Sequence, residues 1–257
     1  MSIELPIAQE PDVRIIDGWT LHEFAEATST SSLAANLPPW TAVRADVQTA
    51  GRGRTGRFWV SDENGLWLSA VLPTPGAPAC WSLLPLAAGW AVLGVIRGLG
   101  LPQARLRWPN DILVGRQKLA GILVDRFSAD TAVVGIGLNV SNRPDLVDPA
   151  LRGETACLAD LLPEAPPFTS LLVRVLAALT REHQRLESGD ARGLCRDLNH
   201  AWLHRQVHVT LAGGLGAING QLEGIDPAGA LLLRDAAGDR RTFPAHRVDM
   251  LREIFPA

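Results

Sequence analysis

Apolar and polar residues alternate along "TAVRADVQ", 41–48, as they do on a strand with one face in a core, and "GLWLSAVL", 65–72, reads as a second strand. Between Leu66 and Ile96 no residue is charged. Pro73, Pro75, Pro78 and Pro85 interrupt the first two thirds of that stretch. The uninterrupted remainder, Leu86–Ile96, falls far short of the ~20 residues that span a bilayer. The pattern therefore predicts a strand, a proline-rich loop and a buried helix over 81–98, closed by Gly98 and Gly100. Three strand-like runs follow: "ARLRWPNDILV", "KLAGILVDRF" and "TAVVGIGLNV". Residues 170–189 form an amphipathic helical pattern stopped by glycine, and 191–203 a second. After His204 the texture changes to short strands separated by Gly, Asp and Pro turns, "QVHVTL", "AINGQLEGI", "ALLLRD", "RRTF" and "RVDML", as in a small β-barrel. The expected organisation is a main domain over 1–203 and a small barrel over 204–257.

Composition narrows the class. At 257 residues, 47% hydrophobic and 20% charged with a formal charge of −3, the chain fits an ordinary globular protein and not a basic nucleic-acid coat. Cys80, Cys157 and Cys195 are odd in number and far apart, which suits neither a disulfide framework nor a zinc site and suggests a reducing cytoplasm. The start "MSIELPIAQEPDVR" carries acids and prolines where a signal peptide needs a basic start and an apolar run. His200, His204 and His208 recur at fours, but without the glutamate of H-E-x-x-H they read as ordinary histidines.

Lys118 is the one lysine in 257 residues; every other member of the 24 cationic side chains is arginine. An ammonium is a compact charge on a flexible stem, whereas guanidinium is a broad fork that a tight anion site excludes. A second cationic feature is "QTAGRGRTGRFW", 48–59, in which Arg52, Arg54 and Arg57 sit among Gly51, Gly53 and Gly56. Glycines let backbone N–H groups approach a ligand and guanidinium forks match phosphate and carboxylate, so a mobile loop around a polyanion is expected. "GRGRTG" also spells G-x-G-x-x-G, but it runs into another strand where a dinucleotide site needs a helix, and "GIGLNV" lacks the third glycine. In "RWPNDILVGRQKLAG", Gly115-Arg116 suits a two-residue hairpin turn. That register would set Asp111 and Lys118 on one face, with Ala120 and Gly121 leaving room beside them. An exposed pair of this kind contributes only ~0–1 kcal/mol. However, "KLAGILVD" is too apolar for an exposed strand, and a neighbouring Asn and Asp could hold a magnesium ion bound to phosphates.

These motifs, "STS" at 29–31, "QTAGRGRTGRFW", "GLWLS", "RWPND", "KLAGILVD" and "GIGLNV", occur in the order and spacing of the biotin-protein ligases, and the tail with "GIDPAGALLL" and "MLR" resembles that family's C-terminal domain. The resemblance covers about residues 20–252. The R-R-x-G-G-G pattern of the related lipoate ligases is absent. It implies an α+β fold, a mixed β-sheet with helices packed on one face in the class II synthetase-like manner, followed by a Src-homology-3-like β-barrel. It also implies a cytoplasmic enzyme that makes biotinyl-5'-adenylate from biotin and MgATP and transfers the biotinyl group to a lysine of a biotin carboxyl carrier protein, with neither nucleic acid nor membrane as partner; a homodimer is an assembly it allows. By similarity, Ser29, Thr30, Ser31, Gln48, Arg52, Gly53, Arg54, Lys118 and Gly121 would contact biotin. Arg52, Arg57, Trp59, Arg107, Asn110, Asn139 and Arg252 would contact ATP, with Trp59 stacking on adenine and Asn110 and Asp111 on the magnesium side. Lys118, Arg54 and Asp111 would be catalytic, Asp111 helping to deprotonate the incoming lysine.

Three positions depart from the family's pattern. Arg107 stands where a second lysine is usual, Ser31 where the first motif usually ends in Asn, and the tail "FPAHRVDMLR" lacks the usual glycine-acid pair. Other classes of function remain in view. A DNA-binding, biotin-sensing repressor needs a recognition helix and its supports, for which the twenty or so residues before the first motif are too few. A biotin sensor or inactive homologue would bind without transferring.

Overall fold

The computed structural model describes residues 10–202 and 205–254. In chain order the elements are β1 (Asp12–Ile16), β2 (Trp19–Ala27), α1 (Thr30–Ala34), β3 (Thr41–Gln48), β4 (Gly65–Pro73), α2 (Leu84–Gly98), β5 (Arg105–Arg107), β6 (Asp111–Val114), β7 (Gln117–Asp125), β8 (Thr131–Asn139), α3 (Pro144–Val147), α4 (Leu158–Leu161), α5 (Phe168–Glu187), α6 (Ala191–Trp202), β9 (Gln206–Leu211), β10 (Ala217–Ile225), β11 (Leu231–Asp235), β12 (Arg240–Phe243) and β13 (Val248–Glu253). They gather into two compact units, Met1–Pro75 with Arg116–Ala177, and Gly76–Gly115 with Ala178–Ala257. The expected domain junction at 203–204 lies outside the described residues.

The first unit is built on a mixed sheet in which β2 and β3 run parallel while β1–β2, β3–β4, β4–β8 and β7–β8 are antiparallel. β4 lies between β3 and β8 and is buried along its length except at Pro73. A strand covered on both faces reads as a near-continuous apolar run, which is why "GLWLSAVL" shows so little polar alternation. β1 and β2 have no counterpart in the sequence reading. "WTLHEFAEA" carries two glutamates and a histidine, a pattern without clean alternation, and pairing with β1 and β3 makes it a strand.

In the second unit the uncharged stretch resolves as expected beyond β4 into a loop, a single 3₁₀ turn over Pro78–Trp81, and α2. Pro78–Gly98 is long and apolar enough to cross a membrane by composition, and in this fold most of α2 is buried: Leu86, Ala87, Val92 and Ile96 are each almost wholly covered. A Cβ on Gly89 would stand 2.8 Å from Leu106 Cδ1, so glycine is what lets α2 approach β5 so closely. "ARLRWPNDILV" is not one run but two short antiparallel strands, β5 and β6, with Arg107 opposite Asp111. Pro109 between them has no N–H to give a ladder. The indoles of two buried tryptophans tie the unit together: Trp202 Nε1 donates to Leu106 O at 2.6 Å and Trp108 Nε1 to Gly229 O at 3.0 Å.

β9 to β13 form an antiparallel sheet of order β12-β11-β10-β9-β13, matching the five short strands read from the turn residues. This is the small antiparallel sheet that the texture after residue 204 predicts, consistent with the Src-homology-3-like domain that the family resemblance implies, and the α+β class with a mixed sheet holds.

Candidate active site

One face of the first unit's sheet is prepared by cross-strand rows. Trp67 on β4 is opposite Gly137 on β8, which is opposite Gly121 on β7; two residues along, Ser69 is opposite Gly135, which is opposite Leu123. Positions two apart share a face. The glycines therefore form a floor without side chains, and other groups lie directly on it. A Cβ on Gly137 would stand 2.5 Å from the Trp59 ring, one on Gly121 3.0 Å from the same ring and 3.3 Å from Lys118 Nζ, and one on Gly135 2.9 Å from Ser31 Oγ. "GIGLNV", read alone as an incomplete nucleotide motif, supplies two of these glycines.

Trp59 meets Trp67 edge-on with centroids 6.4 Å apart, and Lys118 Nζ stands 4.7 Å from the centre of the Trp59 ring. This is the distance range of cation–π attraction. Trp59 Nε1 is buried and has no hydrogen-bond partner among the described residues. Thus the indole expected to stack on adenine lies over the glycine floor, beside the single ammonium. The Lys118 backbone is clamped by the 154–156 segment, donating to Glu154 O at 2.8 Å and accepting from Ala156 N at 3.0 Å, which fixes where its flexible stem starts.

Beside this lies a neutral polar cluster. Thr30 donates to Gln48 Oε1 from its backbone N at 2.8 Å and from Oγ1 at 3.0 Å, while Gln48 Nε2 donates to Ser61 Oγ at 2.9 Å. Ser69 Oγ is 2.8 Å from Thr30 Oγ1 and 3.0 Å from Ser31 Oγ. Ser29, Thr30, Ser31, Ser61 and Ser69 are all buried. Ser29 occupies the N-cap position of α1, yet its side chain makes no capping bond. Sequence reasoning brought in Ser29, Thr30, Ser31 and Gln48 but passed over Ser61 and Ser69. The signal for Ser69 was present, since it is the sole hydroxyl inside an apolar strand.

The glycine and arginine loop is folded on itself by hydrogen bonds. Gly53 N donates to Arg57 O at 2.8 Å, Arg57 N to Arg54 O at 3.2 Å and Trp59 N to Gly51 O at 3.0 Å, and Arg52 bridges Phe58 as in a small hairpin. Gly51 serves close packing, since a Cβ there would stand 2.5 Å from Ser61 Oγ, and Gly56 serves the turn with φ +73. Arg52 Nη2 reaches Asp125 Oδ2 at 3.4 Å on the exposed side, while Arg54 is half-buried and Arg57 exposed. Asn139 is 2% exposed, donating to Ala156 O at 3.1 Å and accepting from Asn142 Nδ2 at 3.0 Å, so its amide holds the turn after β8.

The remaining expected residues belong to the second unit. Arg107 Nη2 donates to Asp111 Oδ2 at 2.6 Å, and Asn110 N donates to Arg107 O at 3.1 Å, which makes the three one compact turn. Gly115 has φ +59, as the expected two-residue turn requires. Arg252 lies exposed on β13 with its Nε 3.1 Å from Met250 Sδ.

Comparison with known proteins shows the family. The family model described as "Biotin/lipoate A/B protein ligase family" matches residues 24–140, and that of the "Biotin protein ligase C terminal domain" matches 203–250. The Biotin--[acetyl-CoA-carboxylase] ligase of Paracoccus denitrificans is 36% identical over 251 residues, covering 88% of this chain and 98% of that protein. The ligase of the same name from Mycobacterium tuberculosis is 34% identical, covering 84% of each chain. The solved structure of the biotin protein ligase from Aquifex aeolicus in complex with biotin and ATP superposes with a TM-score of 0.78 at 26% identity, covering 91% of this chain and 99% of that one. The fold and the two matched modules define a biotin/lipoate-type ligase, and the chain belongs to the biotin protein ligase family.

Proposed function

We propose that this chain joins biotin to ATP as biotinyl-5'-adenylate and then passes the biotinyl group to a lysine of a biotin carboxyl carrier protein. In the first step a carboxylate oxygen bonds to the α-phosphorus and pyrophosphate leaves; in the second the lysine amine bonds to the acyl carbon and AMP leaves. The observation that carries the reading is the position of Lys118 Nζ over Trp59 and beside Gly121, where the bare glycine backbone lets the one ammonium and the indole lie together against the sheet.

The first step presses two anions together, and unit charges 4 Å apart repel by about 4 kcal/mol at an effective dielectric near 20. Preorganised cations offset such repulsion where the charge develops. Lys118, Arg52, Arg54 and Arg57 supply them, with Gly53 in the same loop. The neutral head of biotin is assigned to Ser29, Thr30, Ser31 and Gln48, its chain to Gly121 and Lys118, and the nucleotide side to Trp59, Arg107, Asn110, Asn139 and Arg252. Asn110 and Asp111 fit a magnesium ion in kind, as two hard oxygen donors beside phosphate oxygens. When bound with ATP, that ion would neutralise phosphate charge. Asp111 is also assigned the proton of the incoming lysine, with Arg107 holding its carboxylate in place. The remaining proposals are a domain division at 203–204, homodimer assembly and a cytoplasmic location.

Incubation with biotin, MgATP and a carrier domain, following pyrophosphate release and biotin transfer together, tests the reading. Adenylate without transfer would indicate a sensor, and neither activity an inactive homologue.

A further inference from the structure

Every proton in the cluster around Gln48 has an assigned place. A backbone N–H can only donate, so the carboxamide atom that faces Thr30 N at 2.8 Å is oxygen and the amide nitrogen points the other way, toward Ser61 Oγ. Ser61 in turn donates to Trp59 O at 3.0 Å, a carbonyl that can only accept, which fixes the same orientation from the other end. Each hydroxyl has one proton. Thr30 uses its own on Gln48 Oε1, so the 2.8 Å contact with Ser69 is filled by the proton of Ser69. The 3.0 Å contact between Ser31 and Ser69 is then filled by the proton of Ser31. The chain runs one way, from Ser31 through Ser69 and Thr30 to Gln48.

From this direction we infer that Ser69 is a positioning residue for biotin recognition, acting by holding Ser31 as an acceptor rather than a donor. Ser69 is 0% exposed and reaches a ligand only through its two neighbours. With Ser69 in place, Ser31 turns lone pairs outward over Gly135, and Gln48 Nε2 keeps a second N–H beyond the one given to Ser61. An acceptor at Ser31 matches a ligand end that carries an N–H, as a cyclic urea does. Without Ser69 the Ser31 proton is released to point outward, and a donor replaces the acceptor. The inference rests on the proposed function, because the urea is the head of biotin.

Titration of biotin into the full chain, with steady-state pyrophosphate release, tests it. Ser69→Ala is expected to weaken biotin binding about tenfold, the worth of roughly one hydrogen bond, and to raise KM for biotin while KM for ATP and kcat stay within about twofold. In a Ser31→Ala background the same change is expected to add less than about twofold, since no proton is left to reverse. Ser69→Cys, similar in size but weaker in hydrogen bonding, is expected to lose about threefold and serves if the alanine variant does not fold. Undiminished biotin affinity in the variants, a loss confined to kcat, or full additivity with Ser31→Ala would overturn the role of Ser69. Absence of biotin binding by the unsubstituted chain would instead overturn the proposed function.

Discussion

The two compact units differ in the polar groups they bury most deeply. The first buries neutral ones: Thr30, Ser31, Ser61 and Ser69 sit in a hydrogen-bonded chain around Gln48, while its loop arginines stay half-buried or exposed. The second buries a paired carboxylate more deeply, while half-buried ion pairs occur in both, Arg44–Glu23 in the first and Arg107–Asp111 in the second. Glu253, 6% exposed, receives Arg105 Nε at 2.8 Å and Arg205 Nη1 at 3.2 Å, and Arg107 faces Asp111 at 2.6 Å. A satisfied neutral network carries little desolvation penalty and presents fixed donors and acceptors, which suits reading an uncharged ligand head. A buried carboxylate between two guanidinium groups tolerates the loss of neither side, which suits locking β5 to β13. The neutral network is the part assigned above to a ligand, whereas the Glu253 cluster ties β5 to β13.

Substitutions at the two kinds of site should separate these roles. Lys118→Ala should lower adenylate formation by about 10²–10³-fold or more, as removal of a preorganised charge at a developing anion does, with stability little changed. Lys118→Arg should recover only a small part of that in the pyrophosphate-release assay; full activity would remove the argument from ammonium size. Glu253→Ala should instead destabilise by about 3–5 kcal/mol, read as a shift in the urea midpoint, because it leaves two guanidinium groups without their shared partner. Gly137→Ala places a methyl 2.5 Å from the Trp59 ring. It should lower kcat/KM about 10²-fold through misplacement near the reacting groups, with a smaller effect on folding.

The smallest effect is expected at an exposed pair in the first unit. Asp160 is held at about 2, below the usual carboxylate range, first by the Arg143 side chain and then by the Cys157 thiol, with Arg143 Nη2 at 2.7 Å from Oδ1. Its carboxylate is stronger folded than unfolded, so any stabilisation is present above about pH 4 and is lost as pH falls through about 2. Since both side chains are half exposed, Asp160→Asn should cost no more than ~1 kcal/mol at pH 7, and the difference from the parent chain should shrink in urea unfolding as the pH drops from 4 toward 2. A larger loss would mean that the first unit also depends on ion pairs for its stability.

Strong period and punctuation made much of the fold legible. β3, β4, α2, α5 and the five strands of the C-terminal sheet follow from alternation, apolar runs and turn residues, because those signals are local. β1 and β2 escaped, since strands made by pairing with each other and, for β2, with β3 need not show alternation of their own. The single lysine and the serine and threonine motif pointed toward the site because residue type limits chemistry. Ser61 and Ser69 did not, since their importance lies in which hydroxyl they meet across the sheet.

The order of residues by itself determined which elements form and which side chains can carry charge, donate or accept, for these are properties of single residues and of neighbours along the chain. The tertiary structure alone decided that Gly121, Gly135 and Gly137 line up as a floor, that Trp59 lies on it beneath Lys118, that the arginine loop is a hydrogen-bonded hairpin, and that Ser31, Ser69, Thr30 and Gln48 form one hydrogen-bonded chain. The reason is physical: register between strands distant in sequence sets these contacts, and a shift of one residue would turn every one of those side chains to the opposite face.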